Sequence, residues 1–189
     1  KLDSGIEMSY IKNKNNDLFN LNIIFDMGKD NDKKLTLAVG YLDYLGTDKY
    51  TAEELKKEFY KLGVNYSVNA GSDRSYITIS GLQENIDKGL ELLEHLMSNV
   101  TVDQEAYDKY VLSILKGRED GKTQKGNILS NGLMSFAQYG EDSRLRNIYS
   151  VDELKNMDPS ELTEILKDLE NYKHRIFYYG KDVEAAKVA

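Results

Sequence analysis

Two pairs of short segments in this chain alternate apolar and polar residues, and each pair gives way to stretches whose apolar residues fall three and four apart. In the first pair, "GIEMSYIKN" puts Ile6, Met8 and Tyr10 on one face, and "LFNLNIIFDMG" does the same with Phe19, Leu21, Ile23 and Phe25. The polar "NKNND" between them is turn-like, so a hairpin is expected. From Lys34 the rhythm changes: Leu35, Val39, Leu42 and Leu45 predict a helix that stops at Gly46. Thr51 with Glu54 is a capping-box pattern that opens a second helix, carrying Leu55, Phe59 and Leu62 to a terminating Gly63. The second pair, "VNYSVNAG" and "RSYITISG", predicts another hairpin closed by Gly71-Ser72-Asp73.

Helical patterns then dominate. One covers 85–100 with Ile86, Leu90, Leu93 and Met97 on its core face, and another starts after Asp103 and carries Tyr107, Val111 and Leu115. "GKTQKG" is a weak spot, 127–139 and 151–157 are helical again, and Asp158 with Pro159 just inside opens a further helix. "HRIFYYG" reads as a returning strand, in which Tyr178 and Tyr179 point to opposite faces. Hairpins separated by helix pairs imply an α+β fold: a mainly antiparallel sheet of at least five strands with helices packed on one face. No repeat of 20 to 50 residues is present, and the 189 residues are expected to form a single domain.

Composition narrows the function. With 40% hydrophobic and 30% charged residues and one Pro, the chain has the make-up of a folded protein. The net charge of -7 is spread along it with Lys interleaved, so no basic stripe exists for a phosphate backbone, and nucleic acid is not an expected partner. No window approaches the roughly 18 apolar residues of a membrane span, so none is expected. Absence of Cys excludes disulfides, thiolate metal sites and a Cys nucleophile, and is compatible with the cytoplasm or with a bacterial periplasm or cell envelope.

The order of elements, and the stretch "FDMGKDNDKKLTLAVGYLDYLGTDKYTAEELKKEFYKLGVNYSVNAGSDRSYITISGL" from Phe25 to Leu82, resemble one domain of the insulinase and pitrilysin family of zinc peptidases. In that family a hairpin ending in Gly leads to a helix bearing H-x-x-E-H, then a "GT" turn and a helix opening much like "TAEEL". The two His grip zinc and the Glu takes a proton from the metal-bound water that attacks the peptide carbonyl. Set against that motif, this chain has Gly40, Asp43 and Tyr44 where the family has His, Glu and His. The third ligand, a Glu of a later helix, is matched within "YVLSILKGRED" by Ile114, with Glu119 and Asp120 close by. Asp43 alone cannot hold zinc, since a catalytic site needs about three protein ligands.

The resemblance extends through "YGEDSRLRNIYSVDELKNMDPSELTEILKDLENYKHRIFYYG" and covers essentially the whole chain. It implies the first domain of the family's non-catalytic half, excised from a longer multi-domain peptidase. Its partners would be companion domains of that peptidase, including the half that bears zinc, and peptide substrate in the chamber they enclose. No cofactor is then expected in this chain, zinc belonging to the catalytic domain. The alternative is a peptidase-derived scaffold or interaction domain with no link to proteolysis, like the related core subunits of respiratory complexes.

From the residues alone, "GYLDY" reads as an ordinary helix end, with Leu42 in the core, Tyr41 and Tyr44 packing as amphipathic aromatics and Asp43 solvated. The resemblance instead implies that the Gly40, Asp43 and Tyr44 face borders a substrate chamber. Arg144 and Tyr149, in and just beyond the loop "YGEDSRLRN" that also holds Arg146, are candidate substrate contacts. His95 and His174, both far from "GYLDY" in sequence, are expected to be structural. An acid–base pair of Asp43 with Glu119 would lack any convergent set of groups around it.

Overall fold

The computed structural model describes residues 5–142 and 148–181. The strands are β1 (Glu7–Lys12), β2 (Leu18–Phe25), β3 (Val64–Ala70), β4 (Ser75–Leu82) and β5 (His174–Gly180). The helices are α1 (Lys33–Leu42), α2 (Ala52–Lys61), α3 (Ile86–Asn99), α4 (Gln104–Thr123), α5 (Lys125–Asn127), α6 (Ser135–Tyr139), α7 (Val151–Asn156) and α8 (Pro159–Lys167), with a π-helical turn over Ile128–Met134 between α5 and α6. Two compact units emerge: Lys1–Val102 with Ser160–Ala189, and Asp103–Pro159.

The first unit holds the five-stranded sheet, ordered β1-β5-β2-β4-β3. Three of its pairings are antiparallel and the fourth, β1 with β5, is parallel. The α+β architecture and the mainly antiparallel sheet are therefore as expected from the sequence. Register explains the core: Leu21 lies opposite Ile79 on one side and Tyr178 on the other, and all three are fully buried on one face. Tyr10 stacks on Tyr178 with ring centroids 5.6 Å apart, while Tyr179 faces the other way and is half-buried. Helices α1 and α2 pack against β3, and α3 against β3 and β4.

The expected β1–β2 hairpin does not form, because β5 inserts between the two strands. Asn13 makes this possible. Only 1% exposed, it donates its backbone N–H to the carbonyl of Gly180 at the end of β5. Its side-chain oxygen accepts from the N–H of Asn15 and its amide donates to the carbonyl of Leu18, so the loop is built around Asn13 as it passes the end of β5. The polar cluster is thus a crossing of about two strand spacings, roughly 10 Å, and not a tight turn.

The helix starts follow local chemistry. Thr51 and Glu54 form the capping box of α2, and Asp32 caps α1 through the N–H of Lys34. In α3, Ile86 and Leu93 are buried as expected, but Leu90 and Met97 are only half-buried, and Leu96 and Gly89 complete the buried face.

In the second unit Asp103 caps α4 by accepting from the N–H of Ala106, and the buried Tyr107 donates its hydroxyl to the carbonyl of Leu154 at 2.7 Å, tying α4 to α7. The weak spot in "GKTQKG" is a real break: Gln124 leaves the helical region at φ -88 and ψ 112 before α5 resumes. Residues 127–139 are helical, though much of that span is the π turn. Among the described residues no helix is long and apolar enough to cross a membrane.

Candidate functional site

The C-terminal end of α1 is held by its apolar face. Leu35, Ala38, Tyr41 and Leu42 are buried, and Leu45 follows them into the core. The helix nevertheless closes at Leu42 and not at Gly46, because the N–H groups of Tyr44 and Leu45 bond three residues back, to the carbonyls of Tyr41 and Leu42. Gly46 is needed for a different reason: a Cβ there would lie 2.5 Å from the carbonyl oxygen of Tyr50. The tight turn is fixed by the Thr47 N–H donating to that same carbonyl at 2.8 Å.

His95 of α3 anchors this turn. Its Nε2 lies 3.0 Å from the Thr47 hydroxyl and 3.5 Å from an Asp48 carboxylate oxygen, and Tyr50 meets the ring edge-on. His174, at the start of β5, engages the carbonyl of Tyr172 through Nδ1 and packs beside Phe25.

The residues set against the family's motif in the sequence lie as follows. Gly40 is half-buried within α1, Asp43 is exposed as the C-terminal cap residue, and Tyr44 is half-buried just beyond the helix. The Asp43 carbonyl accepts from Lys56 Nζ at 3.2 Å. Ile114 belongs to the second unit, half-buried on α4. Tyr149 is half-buried in that unit, and its carbonyl accepts from the Arg118 guanidinium at 2.8 Å. Arg144 and Arg146 lie outside the described residues. Arg118 carried no sequence cue, since its role is a contact with backbone.

A zinc ion does not fit this donor set. Position 40 offers no side chain, position 44 a phenol and position 114 an alkyl group, which leaves the exposed Asp43 carboxylate. Among the described residues no three His, Cys, Asp or Glu side chains gather where they could hold a metal.

What borders α1 is β3, the outermost strand of the sheet on that side. Its Tyr66 packs on Phe59 of α2 with ring centroids 4.5 Å apart. Burial, and secondly the charge of Asp43, push the Tyr66 phenol up to about 12. The consequence for stability has a definite sign. Below about pH 10 folded and unfolded chains both keep this proton; between about 10 and 12 only the folded chain does, so stability falls as pH rises by about 1.4 kcal/mol per pH unit. Denaturant unfolding at pH 9 and about 11.5 is expected to show Tyr66→Phe losing about 2 kcal/mol less than the unaltered chain over that interval.

Known proteins share this fold. The sequence profile of the insulinase family, peptidase family M16, matches residues 11–146. A peptidase M16 inactive domain from Pseudomonas fluorescens superposes with a TM-score of 0.79 at 17% identity, covering 100% of this chain and 48% of that one. The ferredoxin protease FusC, solved as a point mutant in complex with Arabidopsis ferredoxin, gives 0.78 at 12% identity, over 100% and 21% of the two chains. The periplasmic protease PqqL from Escherichia coli gives 0.73 at 12% identity, over 94% and 20%. This chain therefore spans between about a fifth and a half of these solved chains. No protein with a curated function matches it in sequence.

Proposed function

This chain belongs to the insulinase family, peptidase family M16, and from that membership we propose that it is a non-catalytic domain of a zinc endopeptidase, binding extended peptide without cutting it. The observation that carries the reading is a family fold kept whole around a motif helix with no donor set for zinc: Gly40, Asp43 and Tyr44 on or just past α1, and Ile114 on α4. Companion domains, one of them bearing the zinc, would complete the substrate chamber. Within this chain the edge of β3 is the place for peptide to add as a further strand, since it lies outermost in the sheet and next to Asp43. Main-chain hydrogen bonds supply the affinity in such an arrangement, so the binding tolerates many sequences.

Hydrogen exchange with an unstructured peptide in excess tests this. Protection should rise at alternate amides of Val64–Ala70 and nowhere on β1. Protection unchanged on β3 at millimolar peptide would refute the binding role.

A further inference from the structure

A pocket of about 460 Å³ opens in the first unit between α3, α8 and the sheet. Its walls are apolar, with Ile23 of β2, Ile77 of β4, Ile176 of β5, Leu93 of α3 and Leu166 of α8. This is why Leu90 and Met97, on the rhythm of a core face, are only half-buried: they look onto space. Walls without partner atoms forfeit their dispersion contacts, and the volume lies within the roughly 300–1,000 Å³ of small-molecule sites.

The mouth has its own chemistry. Asp87, Glu91 and Glu94 line it from one face of α3, spaced four and three residues apart, all exposed and in no ion pair or hydrogen bond among the described residues. Like charges at this spacing repel along a helix. Lys167 and His174 are the basic groups among the lining residues, so with three carboxylates the mouth keeps an excess of negative charge beside an apolar wall.

We propose that this pocket binds a small amphipathic amine: a compact aromatic or aliphatic body against Ile23, Ile77 and Ile176, with a protonated amino group held at the mouth by Glu91 and Glu94. The apolar walls set the body and the excess of carboxylates sets the head. A neutral ligand leaves the repulsion along α3 in place, and an anion adds to it. The site is independent of the strand-addition reading, since it lies under α3 and not on the edge of β3.

Calorimetric titration of the full chain with 4-phenylbutylamine, 4-phenylbutan-1-ol and 4-phenylbutanoate separates these terms. The amine should bind about tenfold more tightly than the alcohol, and the butanoate more weakly than either. Combining Glu91→Gln with Glu94→Gln, both surface changes, should bring the amine to within about twofold of the alcohol while the alcohol is unaffected. Met97→Trp narrows the mouth and, in a chain without Trp, reports occupancy by fluorescence; it should weaken amine and alcohol alike, about tenfold or more. Equal affinity for amine and alcohol in the unaltered chain, no amine binding at millimolar concentration, or insensitivity to Met97→Trp in a folded variant would each overturn the proposal.

Discussion

Tyr41→Ala is expected to cost about 3–5 kcal/mol of folding stability, the range for emptying a large aromatic site in a core. Tyr41 is 0% exposed and sits on the same face of α1 as Leu35, Ala38 and Leu42. Truncation removes the ring's dispersion contacts and leaves a cavity that close-packed neighbours fill only in part. Asp43→Ala, two residues away on the exposed side, should stay within about 0.5 kcal/mol, as surface changes usually do. Urea unfolding of both variants reads this contrast directly. A small loss at Tyr41 would mean that the motif helix presents that face to something other than the core, and the account of α1 would fail.

The second large effect is expected at Gly28, where β2 leads into α1. A Cβ there would lie 2.4 Å from the carbonyl oxygen of Ser72 and 2.6 Å from the amide nitrogen of Arg74, both backbone atoms. Rotamer changes cannot relieve such a clash. The loop would have to lift off the β3–β4 turn, where Lys29 and Asp30 donate their N–H groups to the carbonyls of Gly71 and Ser72, both at 2.9 Å. Overpacking costs about 1–3 kcal/mol and the two exchanged hydrogen bonds about 1 kcal/mol each, so Gly28→Ala should lose about 3 kcal/mol or more. Gly117→Ala on α4, where nothing lies within 4 Å of the added methyl, should instead gain up to about 1 kcal/mol from helix propensity. Thermal melts of the two variants should therefore move in opposite directions.

The parts of the fold legible in sequence are those fixed by contacts near in the chain. Thr51 with Glu54, and Asp103, mark helix starts because a cap bonds within three residues. The β3–β4 hairpin likewise follows from its own turn. The β1–β2 pairing is misread from sequence because nothing local announces that β5, some 160 residues later, takes the place between them; neighbouring strands pair in only about two-thirds of cases. Leu45 keeps the helical rhythm of α1 yet lies past its end, since burial depends on which way a residue points and not on which carbonyl its N–H reaches. At Leu90 and Met97 the periodicity gives the correct face of α3, but periodicity carries no information about whether that face is filled.

The candidate site is legible in a different way. That positions 40, 43, 44 and 114 carry no imidazole is visible in the residue types themselves, before any coordinates. What the sequence could not supply is where the helix ends: α1 stops at Leu42, so Asp43 caps it and Tyr44 lies just beyond it. Arg118, engaged with the carbonyl of Tyr149, could not be singled out, because a contact to backbone leaves no trace in the partner's identity.

The residues at 40, 43, 44 and 114 offer no donor set that could hold the family's metal. Equilibrating the purified chain with zinc, removing excess by gel filtration and measuring metal by plasma mass spectrometry tests this. Far less than one zinc per chain is expected. One zinc retained per chain, with peptide cleavage that chelation abolishes, would contradict it.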